Sequence, residues 1–440
     1  MIISNQLQVY VLCIAYICES MNLYCLYPVT TFLLVNFKVI DNVNSAGYYS
    51  GLFTAIYSFA QILACGYWGK LSDVIGKKNI IMIGLISSAV SYLVLGMSSN
   101  IYIALFARFV AGLLSANSPI LKSFVGQLSN DTNKGTNYGY MTIAWSVGII
   151  IGALLGGNTY NILFPQYPIL ILCLLISIVY LVCALIIQKL IPDNNANINI
   201  MNEIQMCTYD IPLIDIYQYA HDKYVINAIL LYVAITIIDI SISEVLPLWM
   251  ALSSTKGGLG YKSENISYVL SISACIGLLS QPMYIGFEKC VTRTNIFNIS
   301  SIVNVITMVM IPYVGTINSE QFIMLCVVNI IRYIFVCCIF NVVYTTISSS
   351  ASQTHNETTN IGHINGIAQS CGSVCKVLCP ILINPLFSTF SQNNNSYFNC
   401  HFVFNLLGLL SIIPYIITFY IDKTKVNAIK EQQPEQSANV

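Results

Sequence analysis

Charge is what this sequence has least of. Only 8% of its 440 residues are Asp, Glu, Lys or Arg, and 56% are hydrophobic, whereas about a quarter of the residues of a soluble protein are charged. An ordinary soluble domain is excluded. The two signs balance at 18 each, so no basic excess points to nucleic acid and no charge surplus points to an anionic partner. Histidine is equally scarce: His221, His355, His363 and His401 fall in loops or near the ends of apolar runs without metal-ligand spacing. The first thirteen residues lack the basic region and small-residue cleavage site of a removable signal, so the first apolar run reads as a retained span. A Gly-rich phosphate loop, a nucleophile elbow and a catalytic carboxylate pair are all missing, which leaves ATP-driven pumping and hydrolysis without support and predicts a protein that is not an enzyme.

Cysteine is plentiful, at 16 residues, yet Cys13, Cys65, Cys173, Cys326 and Cys337 lie inside apolar runs, where a thiol is a small packing group. No disulfide framework is expected. Cys371, Cys375 and Cys379 recur on one helical face, but no second cluster completes a metal shell, so neither a metal nor a cofactor is expected.

What the chain has in abundance is apolar length. Runs near 8–36, 46–67, 79–98, 100–127, 137–158 and 168–190, then 224–252, 265–287, 295–315, 321–349, 361–388 and 401–421, each suffice for the roughly 20 residues that cross a bilayer core. The pattern predicts an all-α membrane protein with twelve transmembrane helices. Residues 1–191 form an amino-terminal six-helix bundle, 192–222 an Asn-rich cytoplasmic linker, 223–422 a carboxy-terminal six-helix bundle and 423–440 a cytoplasmic tail. With both termini inside, the cytoplasmic loops and tail hold Lys70, Lys77, Lys78, Lys134, Lys189, Lys223, Lys289, Arg293, Lys423, Lys425 and Lys430, against Lys38, Lys256 and Lys262 outside. That bias favours cytoplasmic termini. The sequons at Asn265 and Asn394 then face the non-cytoplasmic side, and those at Asn130, Asn298 and Asn356 do not.

The loop after the second span reads Gly69-Lys70-Leu71-Ser72-Asp73-Val74-Ile75-Gly76-Lys77-Lys78. Its glycines permit a tight turn between helices, and Asp73 can accept from the exposed N–H groups of another helix terminus. This stretch resembles the hallmark G-x-L-x-D-x-x-G-R-K of the major facilitator superfamily, with Lys77 in place of Arg. Cys18-Glu19-Ser20 with Tyr27-Pro28, Ala107-Arg108-Phe109-Val110-Ala111-Gly112, Glu244-Val245-Leu246-Pro247-Leu248-Trp249, the Gly257-Gly258-Leu259-Gly260-Tyr261 loop and Asn365-Gly366-Ile367-Ala368-Gln369-Ser370 are similar to the zinc-induced facilitator-like group of plant and fungal transporters. The resemblance implies two pseudo-symmetric six-helix bundles that export a small organic solute, chelator or drug by alternating access, coupled to protons, in a plasma or vacuole-like membrane. The plant-type cysteine motif before span 1 and histidine motif in the central loop are absent, so a plant-like metal-chelator substrate is not implied. The alternative is a transport-inactive relative acting as a receptor or assembly partner.

Gly148-Ile149-Ile150-Ile151-Gly152-Ala153-Leu154-Leu155-Gly156-Gly157 is similar to the antiporter pattern G-x-x-x-G-P-x-x-G-G, with Ala153 replacing the proline. Glycines every four residues make a smooth ridge along which helices approach and rock, and a plain packing face accounts for them equally. With Gly69, Asp73, Gly76, Lys77 and Lys78, the residues Gly148, Gly152 and Gly156 are the candidates for a conformational gate.

An ionisable group inside a span is costly and therefore a candidate working group. Glu19, Asp239 and Glu244 are the acids; Arg108, Lys122, Arg332 and Lys376 are the bases. Glu19 is expected to pair with Arg108, the pair sharing proton coupling with Asp239 and Glu244. Tyr27, Asn117, Trp145, Trp249, Arg332, Asn365, Gln369 and Lys376 are the candidates for a solute cavity, and Lys122 is expected near the cytoplasmic end as a snorkel or gate. The expected partners are a small solute, protons and the lipid bilayer, with no nucleic acid and a monomer as the simplest state.

Overall fold

The computed structural model describes residues 4–115, 117–129, 133–192, 223–316, 320–354, 359–392 and 399–418. The expected linker and carboxy-terminal tail lie outside the described residues, apart from Pro192. The regular secondary structure among the described residues is all helical, with no strand. Eleven helical stretches of the described residues, some of them two consecutive helices, are long and apolar enough to cross a membrane. The helix Gly47–Ile75 is 29 residues long and fills the remaining expected position, that of the second span.

Helix α1 (Asn5–Tyr24) starts where the Ser4 hydroxyl accepts from the Leu7 N–H, at 3.4 Å. The expected span 8–36 is broken at Cys25–Val29, because Pro28 lacks an N–H and its ring crowds the carbonyl one turn back. A short α2 (Thr30–Asn36) follows, then α3 (Gly47–Ile75). Gly76, at φ +92°, reverses the chain into α4 (Lys77–Gly96), a conformation that a side chain would strain. The fourth span is also divided, into α5 (Ile101–Leu114) and α6 (Asn117–Leu128), with Ser115 extended between them. Helices α7 (Lys134–Asn158) and α8 (Leu170–Leu190) complete the first set.

After residue 222 come α9 (Lys223–Ala251), α10 (Ser263–Gly277), α11 (Ser280–Cys290) and α12 (Arg293–Met310), then α13 (Gln321–Thr354), α14 (Thr359–Gln392) and α15 (Cys400–Leu410). Within the first set α1 packs on α7, α6 and α8, and α4 on α5 and α8. Within the second, α9 packs on α13 and α14, and α12 on α13 and α15. Two seams join the sets: α3 lies along α14, and α7 along α10.

The polarity of the molecule is inverted relative to a soluble protein. Outward faces carry Phe106, Leu185 and Leu382, all more than half exposed, while Glu19, Arg108, Glu244 and Arg332 are buried. Apolar side chains gain nothing by hiding from lipid, whereas charges gain much by facing one another inside. The buried cysteines described, Cys13, Cys18 and Cys173 among them, are free thiols.

At the end of the molecule that carries the 37–46 and 252–262 loops, the two seams are closed by polar contacts. Gln392 Nε2 donates to Ser45 Oγ at 3.3 Å, the Ser253 N–H to Asn44 Oδ1 at 3.2 Å, and Asn384 Nδ2 to Ser50 Oγ at 3.2 Å. On the other seam Ser263 Oγ donates to the Gly157 carbonyl at 3.1 Å and Tyr268 to Asn158 Oδ1 at 2.9 Å. The backbones approach closely there: a Cβ on Gly47 would run into the Asn384 carbonyl, and one on Gly157 into Ser267.

Candidate functional site

Buried polar side chains from α1, α3, α5, α6, α9, α13 and α14 gather into three groups around the seams. In the first, Glu19 on α1 is 3% exposed and accepts from Asn117 Nδ2 at 2.9 Å. The break in span 4 makes this bond possible, since Asn117 opens α6 two residues after the extended Ser115. Glu19 thus lies at a half-helix N-terminus, where the partial positive charge of free N–H groups favours an acid. Across the interface, Lys376 on α14 acts on it electrostatically.

Arg108 does not meet Glu19 as expected. Its Nη1 donates to Asn22 Oδ1 at 2.8 Å and to the Tyr92 hydroxyl at 3.5 Å, its Nε to the Phe53 carbonyl at 3.5 Å, and its guanidinium lies 4.4 Å from the Tyr57 ring centroid. The geometric reason is that Asn22, three residues beyond Glu19, brings an amide to the guanidinium instead. Tyr92 also donates to Asn22, and Asn22 Nδ2 to the Tyr57 hydroxyl at 3.0 Å. Arg108 is therefore held by dipoles and a ring face rather than by a carboxylate.

The second group centres on Glu244 of α9, 5% exposed. Its Oε2 accepts from Asn384 Nδ2 at 3.1 Å, and its Oε1 is buried without a hydrogen bond. Tyr27 and Thr54 from the other set of helices stand beside it. Tyr27 sits in the break after α1 with its ring 5.2 Å from that of Tyr24, edge to face. The same Asn384 amide that serves Glu244 donates to Ser50 across the α3–α14 seam. A carboxylate and a seam thus share one amide.

The third group is the ion pair Arg332–Asp239, at 3.9 Å between Nη1 and Oδ1, with the Asp239 side chain 31% exposed. Arg332 Nε donates to Asn329 Oδ1 at 3.1 Å, whose Nδ2 donates to Ser273 at 2.7 Å. Tyr24, hydrogen-bonded to Ser243, faces the pair, and Tyr333 and Cys337 lie alongside.

The remaining candidates divide. Trp145 is half-buried with its ring 5.1 Å from Tyr16, and Gln369 and Lys376 are half-buried on α14. Lys122 stands over the Tyr16 ring, 5.9 Å from the centroid. Trp249 is fully buried, donates to the Gly257 carbonyl at 3.0 Å and meets Phe404 edge to face, so it anchors the 252–262 loop. The glycine ridge packs within its own set of helices, on α1: a Cβ on Gly148 would strike Ser20, one on Gly152 the Met21 carbonyl, one on Gly156 the Cys25 carbonyl. Gly157, the next residue, is the one that reaches α10. In the α3–α4 loop Lys77 donates to Ser123 at 2.6 Å and Lys78 to the Gln188 carbonyl at 3.2 Å, while nothing lies within 4 Å of a Cβ placed on Gly69. The side chains of Asp73 and Asn365 lie outside the described residues.

Sequence reasoning missed Asn22, Tyr24, Tyr57, Tyr92, Asn329 and Asn384. Neutral polar side chains inside apolar runs were the available signal, since each needs an internal partner.

Comparison with known proteins fits this architecture. The model of the Major Facilitator Superfamily matches residues 12–380. The chain is 23% identical to Protein ZINC INDUCED FACILITATOR 1 of Arabidopsis thaliana over 91% of its own length and 88% of the relative's. It is 32% identical to the major facilitator superfamily multidrug transporter mfsB of Aspergillus fumigatus, over 37% of this chain and 28% of that one. Among solved structures, the human organic anion transporter TETRAN superposes with a TM-score of 0.65 at 15% identity, covering 93% of this chain and 98% of that chain. With twelve expected spans, two inter-bundle seams and buried charge between them, the chain belongs to the Major Facilitator Superfamily of membrane transporters and is an integral, multi-pass membrane protein.

Proposed function

We propose that this protein is a secondary active transporter that exchanges a small organic solute against protons by alternating access, with Glu19, Glu244 and Asp239 as the proton-carrying acids. The observation that carries the reading is the shared amide of Asn384. An ionised carboxylate buried beside an amide and two hydroxyls, with no cation in contact among the described residues, costs free energy that protonation removes. At Glu244 that change falls on the amide that also ties α14 to Ser50 of α3. Proton loading would thereby shift the balance between closed and open states of this seam. With the termini cytoplasmic, the bonded end is the outer one, and the state described is closed to the outside.

The solute site in this reading is the space between the two bundles, bordered by Tyr24, Tyr27, Asp239, Arg332, Gln369 and Lys376. The basic groups among them favour anionic or zwitterionic solutes. Neither a cofactor nor enzymatic chemistry enters the cycle, and a plasma or vacuole-like membrane supplies the gradient.

Reconstitution into proteoliposomes tests the reading. Uptake of a panel of organic acids, amino acids, chelates and cationic drugs is measured with and without a pH gradient. Solute flux that accelerates with the gradient is expected. Binding without flux for every solute would favour the receptor alternative, and flux indifferent to the gradient would favour facilitated diffusion.

A further inference from the structure

In the connection between α7 and α8, the consecutive residues Ile162, Leu163 and Phe164 are 57%, 65% and 51% exposed. Three apolar side chains in a row turned outward are a liability in water. Nor are they the tip of a loose segment. The Asn161 N–H donates to the Pro168 carbonyl at 2.8 Å and the Tyr167 N–H to the Phe164 carbonyl at 2.9 Å, which closes residues 161–168 into an ordered loop. Asn161 itself takes a positive φ of 55°, a conformation that asparagine tolerates. Asn36 Nδ2 donates to the Pro165 carbonyl at 3.3 Å, and the Tyr160 ring lies 5.9 Å from that of Phe32, so the loop is fixed to α2.

Height and charge together identify what covers the tip. Helix α8 has 21 residues and carries Lys189 in its last turn; its length of about 31 Å matches the roughly 30 Å hydrocarbon core. Leu170 therefore stands at one boundary of the core, and the loop lies just beyond it, at the level of the lipid headgroups. Leu174, Ile178, Leu181 and Leu185 make one exposed stripe along α8, the lipid-facing surface of a membrane-spanning helix, and the loop sits at its head. No charged residue occurs from 135 to 188, whereas the 37–46 and 252–262 loops at the same end hold Lys38, Asp41, Lys256 and Lys262. A connection that stands in water keeps charge; one seated at the bilayer interface sheds it and keeps rings such as Tyr160 and Tyr167. A second copy of the chain fits less well, because three side chains fall short of the roughly 800 Å² per partner that a stable interface buries. We propose that the 159–169 loop is a membrane-docking element whose tip, Ile162-Leu163-Phe164, is seated among the lipids of the adjacent leaflet. Its bond to Asn36 then ties the end of α2, beyond the break in span 1, to the bilayer.

Tryptophan fluorescence in phosphatidylcholine nanodiscs that each hold one full-length protein tests the docking. Leu163→Trp adds one tryptophan to Trp68, Trp145 and Trp249, and its emission is the difference from the parent protein. Phosphatidylcholine brominated at acyl carbons 6 and 7 should quench the added emission about twofold, and iodide should quench it about tenfold less than free tryptophan, as for a ring at the bilayer interface. Phe164→Trp should give the same pair of results and replaces the first variant if that one fails to fold. Iodide quenching equal to that of free tryptophan would overturn the proposal, because the tip would stand in water. Shielding from iodide without quenching by the brominated lipid would overturn it as well, because another part of the protein would then cover the tip.

Discussion

Each half of this transporter buries one arginine, and the two are solved differently. Arg108 on α5 is reached from the first helix of its half by Asn22, and Arg332 on α13 is reached from the first helix of its half by Asp239. In the amino-terminal half the cation is satisfied by an amide, a hydroxyl, a carbonyl and a ring face, all fixed by packing. In the carboxy-terminal half it meets an acid at 3.9 Å, and its Nη1 makes no hydrogen bond to protein. A buried cation needs either dipoles or an opposite charge. Dipoles cannot be removed, so the first arrangement is structural. A carboxylate can be neutralised by a proton or engaged by a solute, so the second can respond.

Removal of the two arginines should break the symmetry most visibly. Arg108→Ala leaves Asn22 and Tyr92 facing a void, and the lost bonds plus cavity should cost about 3–5 kcal/mol. Arg108→Lys should restore little, since an ammonium cannot reproduce the planar fork or the stacking on Tyr57. Arg332→Ala should melt distinctly less far below the parent, while solute binding falls. Thermal unfolding followed by size-exclusion fluorescence gives both values. Equal losses in the two variants would refute the division into a structural and a responsive half.

The acids come next in size of effect. Glu244→Gln keeps a polar group beside Asn384 but cannot carry a proton, so exchange at equal pH should stay within a few-fold while acceleration by a pH gradient disappears. Glu19→Gln should do the same if the amino-terminal acid also carries protons. Asn384→Ala should disturb both kinds of flux, because it also releases Ser50 and hence the α3–α14 seam. A Glu244→Gln protein that still concentrates solute against its gradient would move the proton to Asp239.

The spans and the buried charges were legible in the sequence because length, apolarity and the rarity of charge are local properties. The partners were not. Glu19 was expected on Arg108 because both are charged and lie at similar depth, yet the break at Ser115 turns Asn117 toward Glu19, and Asn22 occupies Arg108. Which of two polar residues three positions apart meets a given neighbour depends on helix rotation, to which a single sequence is blind. Trp249 misled for a related reason: an aromatic in a span can face a cavity, lipid or a loop, and here its N–H is spent on Gly257. The glycine ridge was legible as a close-packing face, but that its partner is α1 follows only from the fold.

An exchange of partner type sharpens the comparison more gently. Asn22→Asp would give Arg108 the same kind of acid that Arg332 has. The Arg108 bond should survive, while the donor to Tyr57 is lost, a change of about 1 kcal/mol. The protein should fold and melt within a few degrees of the parent. Collapse of the fold would mean that the amino-terminal cage rejects charge altogether.

The smallest effect is expected at Gly69, a member of the proposed gate, and it separates conformational need from mere presence in a motif. Gly148, Gly152 and Gly156 are pressed against α1, so a methyl there has nowhere to go. Gly69 lies inside α3 with nothing within 4 Å of where its Cβ would be. Helical alanine is favoured over glycine by about 0.5–1 kcal/mol. In the described state, therefore, Gly69→Ala should leave the melting temperature unchanged or slightly raised. If this glycine is nonetheless needed, it is because α3 meets another helix closely in the opposite access state. Turnover would then fall while stability held, whereas unchanged turnover would remove Gly69 from the gate and leave Gly76, with its positive φ, as the glycine that the loop requires.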